Sequence, residues 1–262
     1  MPLAVFHVDA FTTRPFSGNP AAVCPLVEWL DDKLLLAVAA ENNLSETAYF
    51  VPRGDFYELR WFTPRSEVRL CGHATLASAF VLMQILAPGC NTVRFETRFS
   101  GTLTVSSDAG FLAMDFPALP PWACAKPPAP LIDGLGKAPA EVVQVEDNFF
   151  AVYEREEDVR SMRPDFRLLE KLHPAGVAVT APGNDADFVS RYFAPSYGIP
   201  EDPVTGSTHY SLAPYWGRRL GKKHLHAHQV SERGGELWCE LKEDRVVLKG
   251  QAALTLRGEM II

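Results

Sequence analysis

A glutamate opens an otherwise apolar run, Leu44-Ser45-Glu46-Thr47-Ala48-Tyr49-Phe50-Val51, with no charged residue in the four that follow it. A carboxylate taken out of water in this way can both accept and return a proton near neutral pH, which is what a general acid/base must do. The plainer alternative is a solvated glutamate at a strand start. His73 lies in Cys71-Gly72-His73-Ala74-Thr75, at the first turn of an apolar helix. The positive end of the helix dipole favours a neutral imidazole there, able to donate or relay a proton; otherwise it is a packed junction histidine. Asp202, in Pro200-Glu201-Asp202-Pro203-Val204-Thr205-Gly206, is the opposing carboxylate, or else the aspartate of an Asp-Pro turn.

Other chemistries fit less well. Cys71 sits where a helix start can activate a thiol, but a two-base thiol racemase needs a second cysteine, and the matching position holds Thr205. His224, His226 and His228 share one strand face by their period of two. A metal there would need further ligands and a closed geometry, so a solvated strand face is expected and no metal is assigned. Neither a P-loop nor a G-x-G-x-x-G occurs, so no nucleotide cofactor is indicated.

The positioning elements repeat. Arg60-Trp61-Phe62-Thr63-Pro64 precedes the Gly72 junction as Arg191-Tyr192-Phe193-Ala194-Pro195 precedes Gly206. Phe50-Val51-Pro52 similarly matches Thr180-Ala181-Pro182, and Gly101 follows Gly72 at the same distance, 29 residues, as Gly235 follows Gly206. Two similar domains are implied, each with a strand-to-helix junction whose unpaired N–H groups suit a small anion. No carboxylate stands in the second copy where Glu46 stands in the first; that stretch reads His173-Pro174-Ala175-Gly176.

The spacing predicts a helix over 33–41 capped by Asp31 or Asp32, strands over 44–51 and 58–62, and an apolar helix over 74–86. That helix has no polar face, so it should be wrapped by strands. Six prolines in residues 117–130 place a linker at 121–130, between an N-terminal lobe (1–120) and a C-terminal lobe (131–262). A further helix is expected from Pro164, and a second junction helix directly after Gly206. Many short strands with one long helix per half read as α+β.

The chain has 262 residues, 47% hydrophobic and 22% charged, and a net charge of −7. That acidity argues against nucleic acid as a partner, while local amide dipoles still suit a small anionic substrate. Five cysteines without a C-x-x-C pair suggest a reducing, cytoplasmic setting, and neither a leader nor a membrane span is expected.

Taken together, Asp9-Ala10-Phe11, Gly18-Asn19-Pro20-Ala21-Ala22-Val23, Leu44-Ser45-Glu46-Thr47-Ala48, Cys71-Gly72-His73-Ala74-Thr75-Leu76-Ala77 and Glu201-Asp202-Pro203-Val204-Thr205-Gly206-Ser207 resemble the PhzF family, in particular its phenazine-biosynthesis-like-domain branch. The resemblance spans essentially the whole chain. It implies the diaminopimelate-epimerase-like fold: two pseudo-symmetric domains, each a strand layer around a central helix, with the site between them. It also implies a cofactor-independent isomerase, commonly homodimeric, that shifts a proton on a small cyclic unsaturated carboxylic acid. Glu46 would be the acid/base and His73 and Asp202 its assistants. Amides around Gly72-His73 and Gly206-Ser207, with the Ser207 hydroxyl, would hold the substrate carboxylate. The alternatives are a thiol-dependent amino-acid epimerase using Cys71 and a non-catalytic small-acid binding protein. Because the branch occurs widely outside phenazine producers, the phenazine intermediate is not assumed as substrate.

Overall fold

In the computed structural model, which describes residues 2–262, the chain forms two units: Met1–Asp115 with Lys249–Ile262, and Phe116–Leu248. The boundaries depart from the sequence expectation at the C-terminus. The last strand, β18 (Ala252–Ile261), belongs to the first unit, pairing antiparallel with β1 (Pro2–Ala10) from Pro2↔Ile261 to Ala10↔Ala252. That ladder satisfies the backbone of both strands, and nothing in the repeat announces it. The proline-rich stretch is also not a bare linker. Within it β9 (Trp122–Ala123) pairs with β10 (Glu141–Val145). Helix α3 (Ala129–Leu135) starts there too, with proline in its first turn, where the missing N–H has no partner to lose.

The first unit is a mixed strand layer. Beyond β1 it contains β2 (Asn19–Pro25), β3 (Glu46–Arg53), β4 (Phe56–Phe62), β5 (Glu67–Val68), β6 (Thr92–Thr97), β7 (Gly101–Asp108) and β8 (Phe111–Pro117). Pairing runs β18-β1-β2-β3-β4-β6-β7-β8, parallel at β2–β3 and β4–β6 and antiparallel elsewhere. Alternation along the strands gives each helix its own face. Leu3, Val5, Ala22, Cys24, Tyr49 and Val51 pack with Leu35, Val38 and Ala39 of α1 (Asp32–Asn42). Asp31 caps that helix by accepting from Lys33 N, and Asn43 closes it in a left-handed conformation. Helix α2 (Gly72–Val81) packs on β1, β2, β3 and β18 and continues as one π-helical turn, Leu82–Leu86. As its composition predicts, it is buried on nearly every side; Thr75 and Ser78 return their hydroxyls to the Cys71 and Ala74 carbonyls.

The second unit repeats this plan. Its further strands are β11 (Asn148–Val152), β12 (Gly176–Pro182), β13 (Phe188–Ala194), β14 (Ile199–Asp202), β15 (His224–Gln229), β16 (Gly235–Lys242) and β17 (Arg245–Gly250). Parallel β11–β12 answers β2–β3, antiparallel β12–β13 answers β3–β4, and parallel β13–β15 answers β4–β6. Helix α6 (His209–Leu220) takes the place of α2. Two short helices, α4 (Glu156–Arg160) and α5 (Phe166–Leu169), fill the crossover; α5 starts from an Asp165 cap rather than at Pro164, and α4 has no side-chain cap. The duplication reaches side chains. Arg60 grips Glu67 through two N–H donors while lying over Phe62, and Arg191 grips Glu201 likewise over Phe193. No helix among the described residues is long and apolar enough to cross a membrane. The class is α+β, as expected.

Gly18 shows how tightly the first turn is drawn. Its φ is +68°, and a Cβ there would lie 2.2 Å from the carbonyl oxygen of Ala10. Gly18→Ala should therefore destabilise the protein by at least about 1–3 kcal/mol, since backbone cannot rotate away as a side chain can. Urea unfolding measures this; an unchanged midpoint would contradict the account.

Candidate active site

Glu46 opens β3 with its side chain on the same face as Ala48 and Phe50, since alternate strand residues share a face. Thr47 points the other way, to Asn42 at the end of α1. The parallel register sets Glu46 beside Ala21 of β2. On the α2 side it meets His73: Glu46 Oε2 and His73 Nε2 are 3.1 Å apart, with side chains 13% and 8% exposed. The contact is close, but its alignment falls short of a hydrogen bond, so both buried atoms lack a bonded partner. Buried polar atoms left so are rare enough to require a reason.

Cys71 completes the cluster, its Sγ 3.5 Å from His73 Nδ1. It precedes α2 in extended conformation and offers no side-chain cap. The amides of Gly72 and His73 find no acceptor among the described residues, leaving the helix start free to bind an anion. Burial and the charge of Glu46 push the Cys71 thiol up to about 11, so it is protonated at neutral pH. His73 moves the opposite way from the dipole expectation. Burial opposes its positive form, but the Cys71 sulfur and the Glu46 carboxylate outweigh that, and its pKa rises well above the ordinary value. With Cys71 protonated, Glu46 is the partner that matters at neutral pH. The donor atoms of Glu46, Cys71 and His73 lie within 4.8 Å of one another, close enough to share a cation.

In the second unit the junction departs from expectation. Gly206 and Ser207 lie in a turn, and α6 begins only at His209. The turn is closed by His209 N to Gly206 O and Tyr210 N to Ser207 O, while the amides of Gly206 and Ser207 have no acceptor among the described residues. Ser207 is exposed. Asp202 Oδ2 accepts from Thr205 Oγ1 at 2.5 Å, an Asx-type contact that holds the loop. His209 is fully buried, bonded through Nδ1 to the Thr205 carbonyl, and burial lowers its pKa to about 4; it is neutral.

One organising residue escapes the sequence reading. Gln229, fully buried, accepts from Thr205 N and donates to Asp202 O and Thr205 Oγ1. It ends the inward face Leu225, Ala227, Gln229 of β15, and a glutamine on an apolar face is the signal that was there to be read. Thus Glu46, His73 and Cys71 form one cluster, while Asp202, Gly206 and Ser207 share one loop that Gln229 organises.

Comparison with known proteins agrees with this architecture. The model of the phenazine biosynthesis-like protein family, PhzC-PhzF, matches residues 8–258. A protein of Pseudomonas aeruginosa named an uncharacterized isomerase is 53% identical over 260 residues, 99% of each chain. The crystal structure of a PhzF-family phenazine biosynthesis protein from Enterococcus faecalis superimposes with a TM-score of 0.96 at 44% identity, covering all of both chains. A probable proline racemase from Agrobacterium radiobacter shares the fold alone, with a TM-score of 0.66 at 11% identity over 99% of this chain and 93% of that one. The chain belongs to the PhzC-PhzF family of phenazine biosynthesis-like proteins.

Proposed function

We propose that this chain, an isomerase of the PhzF family, moves a proton along a small cyclic unsaturated carboxylic acid with Glu46 as acid and base and with no cofactor. The observation that carries the reading is the buried Glu46–His73 contact, whose facing atoms lack bonded partners beside the free amides of a helix start. Glu46 would take a proton from a carbon next to the double bond. The C–H electrons become the new double bond, the old one shifts, and the far carbon receives the proton back from Glu46. No electrons leave the substrate. His73, held positive by Glu46, can hydrogen-bond the carboxylate after it has given up its proton. Amides of Gly72 and His73 suit the substrate carboxylate or developing negative charge.

For Asp202, Gly206 and Ser207, relay and carboxylate binding are carried from the resemblance. Local support is the fixed Asp202–Thr205 contact and the two unpaired amides. The homodimeric reading rests likewise on the resemblance, and the cytoplasmic one on five cysteines that form no disulfide. The thiol-epimerase alternative is disfavoured because Cys71 is protonated at neutral pH and the hydroxyl of Thr205, its counterpart, is already bonded.

Small unsaturated acids that raise the melting temperature would be incubated in deuterium oxide and followed by NMR. Glu46→Gln should lower deuterium wash-in at least about 100-fold while keeping ligand-induced stabilisation; wash-in at the wild-type rate would exclude Glu46 as the base. Cys71→Ser should cost less than about tenfold, and complete loss would move the chemistry to sulfur. His73 also gives a pH signature. Because its folded pKa is raised, the stability it contributes is full below about pH 6.5 and is lost as pH climbs through the higher folded value. The stability gap between wild type and His73→Gln should therefore shrink as pH rises above about 6.5 in urea titrations; a gap that widens would refute the pairing.

A further inference from the structure

In the second unit, β15 and β16 bring two imidazoles and a carboxylate together. His226 and His228 project from one face of β15, and the antiparallel register sets His228 opposite Glu236 of β16. Glu236 Oε2 lies 3.3 Å from His226 Nε2 and 4.0 Å from His228 Nε2, and all three donor atoms fall within 4.8 Å of one another. The geometry points to a divalent transition-metal site of His226, His228 and Glu236, with the remaining position open to water.

Zinc bound at about 2.0–2.1 Å in a tetrahedron separates its ligand atoms by about 3.3–3.5 Å. Of the three pairs, Glu236–His226 already meets that spacing, Glu236–His228 at 4.0 Å is about half an ångström wide, and the two imidazoles lie within 4.8 Å of each other, so rotation of the side chains closes the set. Two imidazoles and one carboxylate suit zinc, cobalt, nickel or copper rather than calcium or magnesium, which prefer all-oxygen shells. His228 Nε2 is buried and has no hydrogen-bond partner among the described residues. That is the orphan a bound cation would satisfy. The site is also supported from below. The indole of Trp238 stacks on His226 at 4.8 Å with planes 13° apart, fixing the ring. Arg160, a positive charge that acts on His228, is paired with Glu156 at 2.5 Å. An approach path exists, since Glu236 is about half exposed and His226 nearly a third. His224 completes the run of three histidines but is exposed and stands outside the cluster.

Cobalt(II) is the probe, because its spectrum distinguishes nitrogen and oxygen ligands from sulfur. The metal-free full chain should bind one cobalt per chain with visible ligand-field bands and no sulfur charge-transfer band, and zinc should displace it. His228→Gln and Glu236→Gln should each weaken binding at least about tenfold, with unchanged circular dichroism, while Cys71→Ser binds as the wild type does. The proposal is overturned if no saturable binding occurs. It is equally overturned if a thiolate band appears and vanishes in Cys71→Ser, since the metal would then sit at the Glu46, Cys71 and His73 cluster.

Discussion

A helix with no polar side must be covered on all sides, and that requirement shapes the first unit. Residues Ala74 to Ala79 and Val81 leave no face for water, so β1, β2, β3 and β18 close around α2. Closure at that density needs a residue without a side chain where a strand end touches the helix. At Gly250 a Cβ would stand 2.4 Å from the ring of Phe11 and 3.3 Å from Leu76. The functional consequence is at the helix start. Burying the helix also buries the His73 ring at its first turn, beside amides of Gly72 and His73 that have no acceptor among the described residues, at the positive end of the helix.

Glu46 answers part of that demand, and its closeness to His73 reverses the ordinary effect of burial on an imidazole. A buried ion pair is weak evidence for stability, since desolvation consumes much of the attraction. Here the pair is not even aligned as a hydrogen bond. A pair tuned for stability would close that geometry, as Arg60 and Glu67 do with two N–H donors on two oxygens. The contrast inside one unit separates a bidentate, hydrogen-bonded ion pair from a close contact that is not hydrogen-bonded.

Legibility followed the range of the signal. The duplicated Arg-aromatic-Phe strands, the apolar helix and the Asp31 cap were visible because they depend on neighbours or on periodicity. The return of residues 252–261 to β1 was not, because a strand's partner across 250 residues leaves no local trace. Gly206 and Ser207 were read as a helix start by analogy with Gly72; the Asp202–Thr205 and Gln229 contacts instead hold that stretch as a turn. The proline-rich segment misled because composition excludes a helix interior, not a helix start. Glu236 was missed as a neighbour of the histidines because the hairpin register, not sequence proximity, sets it opposite His228.

The two copies differ most where chemistry is at stake. Gly176 opens β12 as Glu46 opens β3. The space its side chain would occupy is filled by the Tyr192 hydroxyl and Asn148 Oδ1, themselves hydrogen-bonded at 2.8 Å. A neutral, satisfied pair thus stands where the first copy leaves an ionisable, unsatisfied one. The position of Cys71 has likewise become Thr205, whose hydroxyl is taken by Asp202. Duplication preserved the strand order, the Arg–Glu clamps and the central helix, all of which serve folding in both copies. It did not preserve a carboxylate at the start of β12 or a thiol before Gly206. A two-base thiol mechanism needs matched groups in both copies, and the second copy offers Gly176 and Thr205 where the first has Glu46 and Cys71.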